Sequence, residues 1–225
     1  MGEMATNEGG HARAGAREIR PAVIPALRLS AALLTILGAL LLAVPAVTYA
    51  GGTAPAGLDR WIQPRVNTPA GAWQTALAVD WIGEPIGRSL AVLLVMALCL
   101  LAGRRRLAVA AFIGMGVVTV LSTVLKDIVD RRIHDDFLSY PSGHTAAATA
   151  VCVVLGLLLS DLLTLGQVFG TALVLGLALA GGAAMAYAQI DLTAHYPTDT
   201  IGGFGLALMA VPATALLVDK LAGHR

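Results

Sequence analysis

The sequence predicts an all-α integral membrane protein, with six transmembrane helices and short interfacial helices between the first and second spans. Three observations carry that expectation. Apolar residues make up 57% of the 225 residues and charged ones 13%, with a mean hydropathy of +0.77, a balance suited to lipid as solvent. Apolar runs recur that are long enough to cross about 30 Å of hydrocarbon at 1.5 Å per residue. The ionisable residues gather in short segments between those runs. A net charge of +1 excludes the broad basic footprint of a nucleic-acid binder. Cys99 and Cys152 both lie inside apolar runs and read as small core residues, which leaves no disulfide framework.

Residues 1–27 hold His11, Arg13, Arg17, Arg20, Pro21 and Pro25, and read as a flexible cytoplasmic tail. The first span covers 27–50. Its end, Thr48-Tyr49-Ala50, loosely fits a signal-peptidase site, but the apolar core is too long for a signal peptide, so the helix is retained. Between 51 and 83, residues such as Pro55, Asp59, Arg60, Pro64, Asn67 and Pro69 interrupt the apolarity, and Trp61, Trp73 and Trp81 punctuate it. Tryptophans among polar partners favour the headgroup level, which places one or two interfacial helices there. The second span, 86–102, ends at Arg104-Arg105-Arg106, and the positive-inside bias puts that loop in the cytoplasm.

The third span, 107–125, delivers a polar segment containing Lys126, Asp127, Asp130, Arg131, Arg132, His134, Asp135 and Asp136. The fourth runs from 141 to 160, a turn follows over 161–167, and the fifth ends near 187. Gln189, Asp191, His195 and Asp199 come next, then the sixth span over 200–218 and a short cytoplasmic tail over 219–225 with Lys220, His224 and Arg225. One domain, 28–218, therefore holds all six spans. With both termini and the triple arginine inside, the segments at 126–144 and 189–199 fall together on the extracytoplasmic face.

Pro141-Ser142-Gly143-His144 opens the fourth span. A helix N-terminus offers free N–H groups and the positive end of the macrodipole, which suits an anion. The arrangement recurs as His195-Tyr196-Pro197-Thr198-Asp199 before the sixth span. Singly, each residue has a plainer reading: His144 as a satisfied polar residue, His195 and Asp199 as a cap, Lys126, Arg131 and Arg132 as headgroup anchors. Gathered at helix mouths on one membrane face, they point to function, because ionisable groups at membrane depth are costly.

Phosphoryl transfer needs a nucleophile, a proton donor for the leaving oxygen and fixed positive charge around the equatorial oxygens. His195, its tautomer set by Asp199, supplies the nucleophile. His144 supplies the proton. Ser142 and the Gly143 amide donate hydrogen bonds, and Lys126 with a nearby arginine neutralises charge. No two histidines have metal-ligand spacing, so neither a metal nor another cofactor is expected.

These residues resemble the type 2 phosphatidic acid phosphatase (PAP2) superfamily, whose pattern is Lys-x6-Arg-Pro, then Pro-Ser-Gly-His, then Ser-Arg-x5-His-x3-Asp. The second motif is intact at Pro141-Ser142-Gly143-His144, and the third keeps His195 and Asp199 at the family spacing. Asp59-Arg60-Trp61 and Gly83-Glu84-Pro85 in the first outer region also look like bacterial members. In the first motif Ile133 and His134 stand where the arginine and proline belong, and in the third Ala188 and Gln189 replace serine and arginine. Arg131 occupies a place where many members carry an additional arginine.

The resemblance implies catalytic His195, His144 and Asp199, with Lys126, Arg131, Arg132, Ser142, Gly143 and Gln189 around the substrate. It implies a metal-independent hydrolase acting on a lipid phosphate or diphosphate, such as phosphatidic acid or undecaprenyl diphosphate, at the outer face through a phosphohistidine. A lipid phosphotransferase, or a catalytically weakened lipid-phosphate-binding protein on the same scaffold, is the alternative. Partners are the lipid substrate and membrane lipids and not nucleic acid; oligomeric state has no signature in the sequence.

Overall fold

A computed structural model describes residues 20–66, 72–134 and 136–223. The apolar runs become helices: α1 (Arg28–Tyr49, led by a 3-10 turn at Pro25–Leu27), α2 (Gly57–Val66), α3 (Ala72–Gly83), α4 (Pro85–Leu101), α5 (Arg105–Val129), α6 (Gly143–Leu162), α7 (Gln167–Asp191) and α8 (Pro197–Gly223). Five of these, α1 and α5 to α8, are each long and apolar enough to cross a membrane. α3 and α4 reach that length and apolarity only together, as a pair bent by 63°, the geometry of a broken span or of a re-entrant loop. Pro85 causes the break. It sits at the first position of α4 after an extended Glu84, and it has no N–H to continue the hydrogen-bond ladder of α3. α2 and α3 are the two helices between the first expected span and α4, and α3 leads straight into α4.

Helical spacing decides which face is buried. In α1, Leu33, Ile36, Leu40 and Val44 are each more than half exposed, while Ala31, Leu34, Gly38 and Leu42 are buried. An outward belt of large aliphatics is what lipid contact requires. The inward stripe meets α8 closely: a Cβ on Gly38 would stand 2.6 Å from the Gly205 carbonyl oxygen, and one on Gly205 would stand 2.8 Å from the Gly38 oxygen. Small residues let membrane helices approach to backbone contact and gain dispersion energy that larger side chains would forbid.

Several helices extend past their expected ends. α5 carries Lys126 in its last turn and stops where Asp130 turns left-handed, with φ 47°. α7 continues to Asp191, so Gln189 is helical, and α8 starts at Pro197, so Asp199 lies in its first turn. Between α5 and α6 the chain forms a small antiparallel hairpin, β1 (Arg132–Ile133) with β2 (Phe137–Leu138), pairing Arg132 with Leu138 and Ile133 with Phe137. Asp135 of the expected polar segment lies outside the described residues, as do Asn67 and Pro69, residues 1–19, His224 and Arg225.

The end of the bundle away from the motifs is pinned by charge. Arg104, 2% exposed, pairs with Asp161 of α6. Asp219 accepts the backbone N–H groups of Ala22 and Val23 at 2.7 and 2.9 Å and lies 3.8 Å from Arg106. Residues 20–27, expected as part of a flexible tail, are therefore held against α8, with Val23 fully buried. Asp219, expected in a tail, is the residue that holds them.

Candidate active site

The two histidine motifs meet because α6 and α8 start side by side. The Ser142 N–H donates to the Asp199 carbonyl at 3.0 Å. Contact this close depends on Gly203, where a Cβ would stand 2.3 Å from the Ser142 carbonyl oxygen. Ser142 caps α6, its hydroxyl accepting from the Thr145 N–H at 3.3 Å, as serine does when its short side chain reaches back over the first turn. Gly143 and His144 occupy that first turn, where N–H groups have no intrahelical acceptor. Just upstream, Tyr140 is fully buried and donates its phenol to the Leu42 carbonyl. Burial, with the Asp199 carboxylate near it, pushes that phenol well above its ordinary value and keeps it a neutral donor.

Asp199 uses both carboxylate oxygens. One accepts the Tyr196 N–H at 2.9 Å, across the residue preceding α8, and the other accepts Arg131 Nη1 at 2.6 Å. A first-turn acid reaching back to the capping N–H is half of a capping box. His195, whose residue exposure is 6%, presents Nδ1 to Asp199 at 3.8 Å, and this nitrogen has no hydrogen-bond partner among the described residues. That separation is longer than a hydrogen bond, though such pairs commonly tighten only when substrate is present.

Arg131 was expected beside the substrate, and its surroundings recommend another role. It is fully buried, its Nη2 on Asp59 at 2.7 Å and its Nη1 on Asp199 and Thr198, both at 2.6 Å. Tyr49 and Tyr196 cover the guanidinium with ring centroids 4.6 and 4.7 Å away, a cation–π sandwich. Two carboxylates and two rings engage both terminal nitrogens and the face of this cation, while its Nε has no hydrogen-bond partner among the described residues. Asp59 completes the hub, also accepting the Thr198 N–H at 2.8 Å. Arg132 is half exposed and pairs with its neighbour Asp130 at 2.8 Å. Among the described residues Lys126 makes no ion pair; it is half-buried in α5, close enough to Asp199 to feel its charge.

Gln189 is 1% exposed and donates its amide to Asp80 of α3 at 2.5 Å. Asp80 and Glu84 in turn flank His144, with carboxylate oxygens 3.6 and 3.7 Å from Nε2. Arg88 of α4 and His195 also act on His144 by charge. Ligand atoms of Asp80, Glu84 and His144 lie within 4.8 Å of one another, a spacing a divalent cation could bridge. Sequence reasoning noted Asp59 within Asp59-Arg60-Trp61 without giving it a role, and passed over Asp80 and Arg88. The available signal was two acids in a stretch read as interfacial, with Glu84 one helical turn after Asp80.

Fold and site together define a predominantly helical membrane protein whose two histidine motifs sit at adjoining helix mouths. The sequence pattern of the PAP2 superfamily matches residues 107–222, and the chain belongs to that superfamily. No curated protein matches it by sequence. Among solved structures it is similar to "the first transmembrane PAP2 type phosphatidylglycerolphosphate phosphatase from Bacillus subtilis", at 18% identity and a TM-score of 0.59, over 88% of this chain and 96% of that one. At that identity the likeness speaks to the fold. The chain is accordingly a multi-pass membrane protein with the PAP2 all-α architecture.

Proposed function

We propose that this protein is a lipid phosphatase that cleaves a phosphate monoester or diphosphate of a membrane lipid at the extracytoplasmic face, through a phosphohistidine and without a metal. Superfamily membership supports phosphatase chemistry. The observation that carries the reading is the Ser142 to Asp199 backbone bond at 3.0 Å, which brings His144 and His195 to one end of the bundle. Nδ1 of His195 faces Asp199, which leaves Nε2 to attack phosphorus. As the P–N bond forms, the bond from phosphorus to the leaving oxygen (the lipid oxygen of a monoester, the bridging oxygen of a diphosphate) breaks and His144 gives that oxygen its proton. Water then attacks phosphorus while His144 takes its proton; the P–N bond breaks, its electron pair returns to His195 Nε2, and inorganic phosphate leaves. Lys126 and the first-turn amides at Gly143 meet the phosphoryl oxygens, where developing charge is best stabilised by fixed donors. Arg131 acts one step back, by orienting Asp199.

The test is phosphate release by the detergent-purified protein, without added metal, across phosphatidate, phosphatidylglycerophosphate and undecaprenyl diphosphate. A phosphoenzyme should be trapped on His195 and vanish in His195→Ala, with activity down by at least a thousandfold. His144→Ala should still form it from a substrate whose leaving group needs little protonation. Undiminished turnover in His195→Ala would sink the nucleophile assignment. Binding of these lipids without any release would favour the binding-protein reading.

A further inference from the structure

Fixed positive charge is scarce where phosphoryl oxygens would lie. Ile133 and Gln189 stand in the two places where arginines were expected. Arg131 is taken up by Asp59 and Asp199, and Arg132 pairs with Asp130. Arg88 of α4 is placed differently. Glu84, one turn before it, is the natural partner by helical spacing, yet that carboxylate lies 3.7 Å from His144. Among the described residues the Arg88 guanidinium makes no hydrogen bond and no ion pair. Its position is costly: half-buried, one turn inside an apolar helix, at the end where the macrodipole disfavours a cation. A charge kept at membrane depth without a protein partner points to a ligand.

Arg88 borders a slot. Helices α3, α4, α6 and α7 line a cavity of about 230 Å3, in which Arg88 is the one charged group among the described residues. Ala147 and Ala148 line it one turn after His144 in α6, and Met185 lines it one turn before Gln189 in α7. Residues one turn apart share a helix face, so the slot runs inward from His144 and Gln189. Apolar walls with a single cation match an amphiphile, a hydrocarbon chain carrying an anionic head.

We infer that Arg88 is a substrate-binding residue: its guanidinium holds the phosphate of the lipid, and the start of the lipid chain lies in the slot that Arg88 borders. The inference rests on the phosphatase reading above. A guanidinium presents a planar pair of N–H donors that matches two phosphate oxygens. Its charge reaches His144, so a phosphate held by Arg88 stands on the side of the proton donor. Lys126, close enough to Asp199 to feel its charge, serves the His195 side. Asp80 and Glu84 also face His144 and repel an anion, and Arg88 is the cation that α4 sets against them.

The experiment uses the full-length protein in detergent with two probes, dioleoyl phosphatidate in mixed micelles and p-nitrophenyl phosphate. Arg88→Ala should lower kcat/KM on both by about a hundredfold and leave the thermal midpoint in place, since no protein group loses a partner. Arg88→Lys should recover part of the loss. Arg65→Ala, which removes an exposed cation from α2, should leave both rates unchanged. Ala184 lines the slot and is exposed, so Ala184→Trp fills it with little folding risk. Its loss should be at least tenfold on phosphatidate and several-fold smaller on p-nitrophenyl phosphate, which has no chain. Phenylglyoxal, which modifies free guanidinium groups, reads the contact without turnover. In His195→Ala protein it should label Arg88, and phosphatidate should protect that peptide where phosphatidylglycerol and phosphatidylcholine do not.

Wild-type kinetics in Arg88→Ala would overturn the inference, as would a loss no larger than the fraction unfolded. Equal protection by phosphatidylglycerol would overturn it too, by making Arg88 an anchor for bulk anionic lipid. Equal losses on both probes in Ala184→Trp would remove the chain from the slot. A wild type that hydrolyses neither probe would sink the phosphatase reading, while protection by phosphatidate would still uphold Arg88 as the phosphate ligand.

Discussion

Removing the Arg131 guanidinium would leave Asp59 and Asp199, both fully buried, facing each other with no water to screen them. Truncating one partner of a buried ion cluster costs about 3–5 kcal/mol, because the remaining charge is stranded. Arg131→Ala should therefore lower the thermal midpoint and expression of the detergent-purified protein, and activity should fall along with folding. A direct phosphate ligand behaves differently: its loss would raise KM or lower kcat while leaving unfolding where it was. Thermal unfolding beside kinetics on one preparation separates these outcomes. Arg131→Lys should not restore the wild type, since an ammonium cannot span two carboxylates and stack between two rings.

α6 and α8 are held at their mouths by backbone contact. Gly203→Ala places a methyl 2.3 Å from the Ser142 carbonyl oxygen, and no flexible side chain is there to yield. The helices must separate, and overpacking of this kind costs about 1–3 kcal/mol. The Ser142 to Asp199 bond opens in the same movement, so activity should fall more than tenfold, well beyond what the stability loss alone would produce. Gly116→Ala in α5 is the control. A Cβ there meets nothing within 4 Å, and exchange of glycine for alanine in a helix gains about 0.5–1 kcal/mol. Equal activity losses in the two variants would mean that contact between the helix mouths does not govern the site.

At the scale of the whole molecule, the alternating helices separate two ends. One carries the motifs, the hairpin and α2; the other carries Arg104, Arg106, Asp161 and Asp219, joined by ion pairs. Under the orientation proposed above, for which the positive-inside bias of the arginine cluster is the support, the motif end faces outward. Phe137 in the hairpin is 67% exposed, so Phe137→Cys, with Cys99 and Cys152 replaced by Ala, should react with an impermeant thiol reagent added to intact cells. Labelling only after permeabilisation would reverse the orientation and move the chemistry to the cytoplasmic face.

Much of the architecture was legible in the sequence, because lipid imposes a length and a composition on any helix that crosses it. The spans, their order and the arginine loop follow from runs of one residue class, and the motif pair from local spacing around His144 and His195. Pro85 was in view within Gly83-Glu84-Pro85, but the sequence did not say that a bend there carries Asp80 and Glu84 to His144. That required α3 to pack against α6 and α7. Arg131 shows the same limit: beside Lys126 in the chain it reads as a phosphate cation, yet Asp59, some seventy residues earlier, and Asp199, a similar distance later, close around it. A charge's role depends on which opposite charges reach it once water is gone. Those partners come from distant helices, and only their packing decides the pairing.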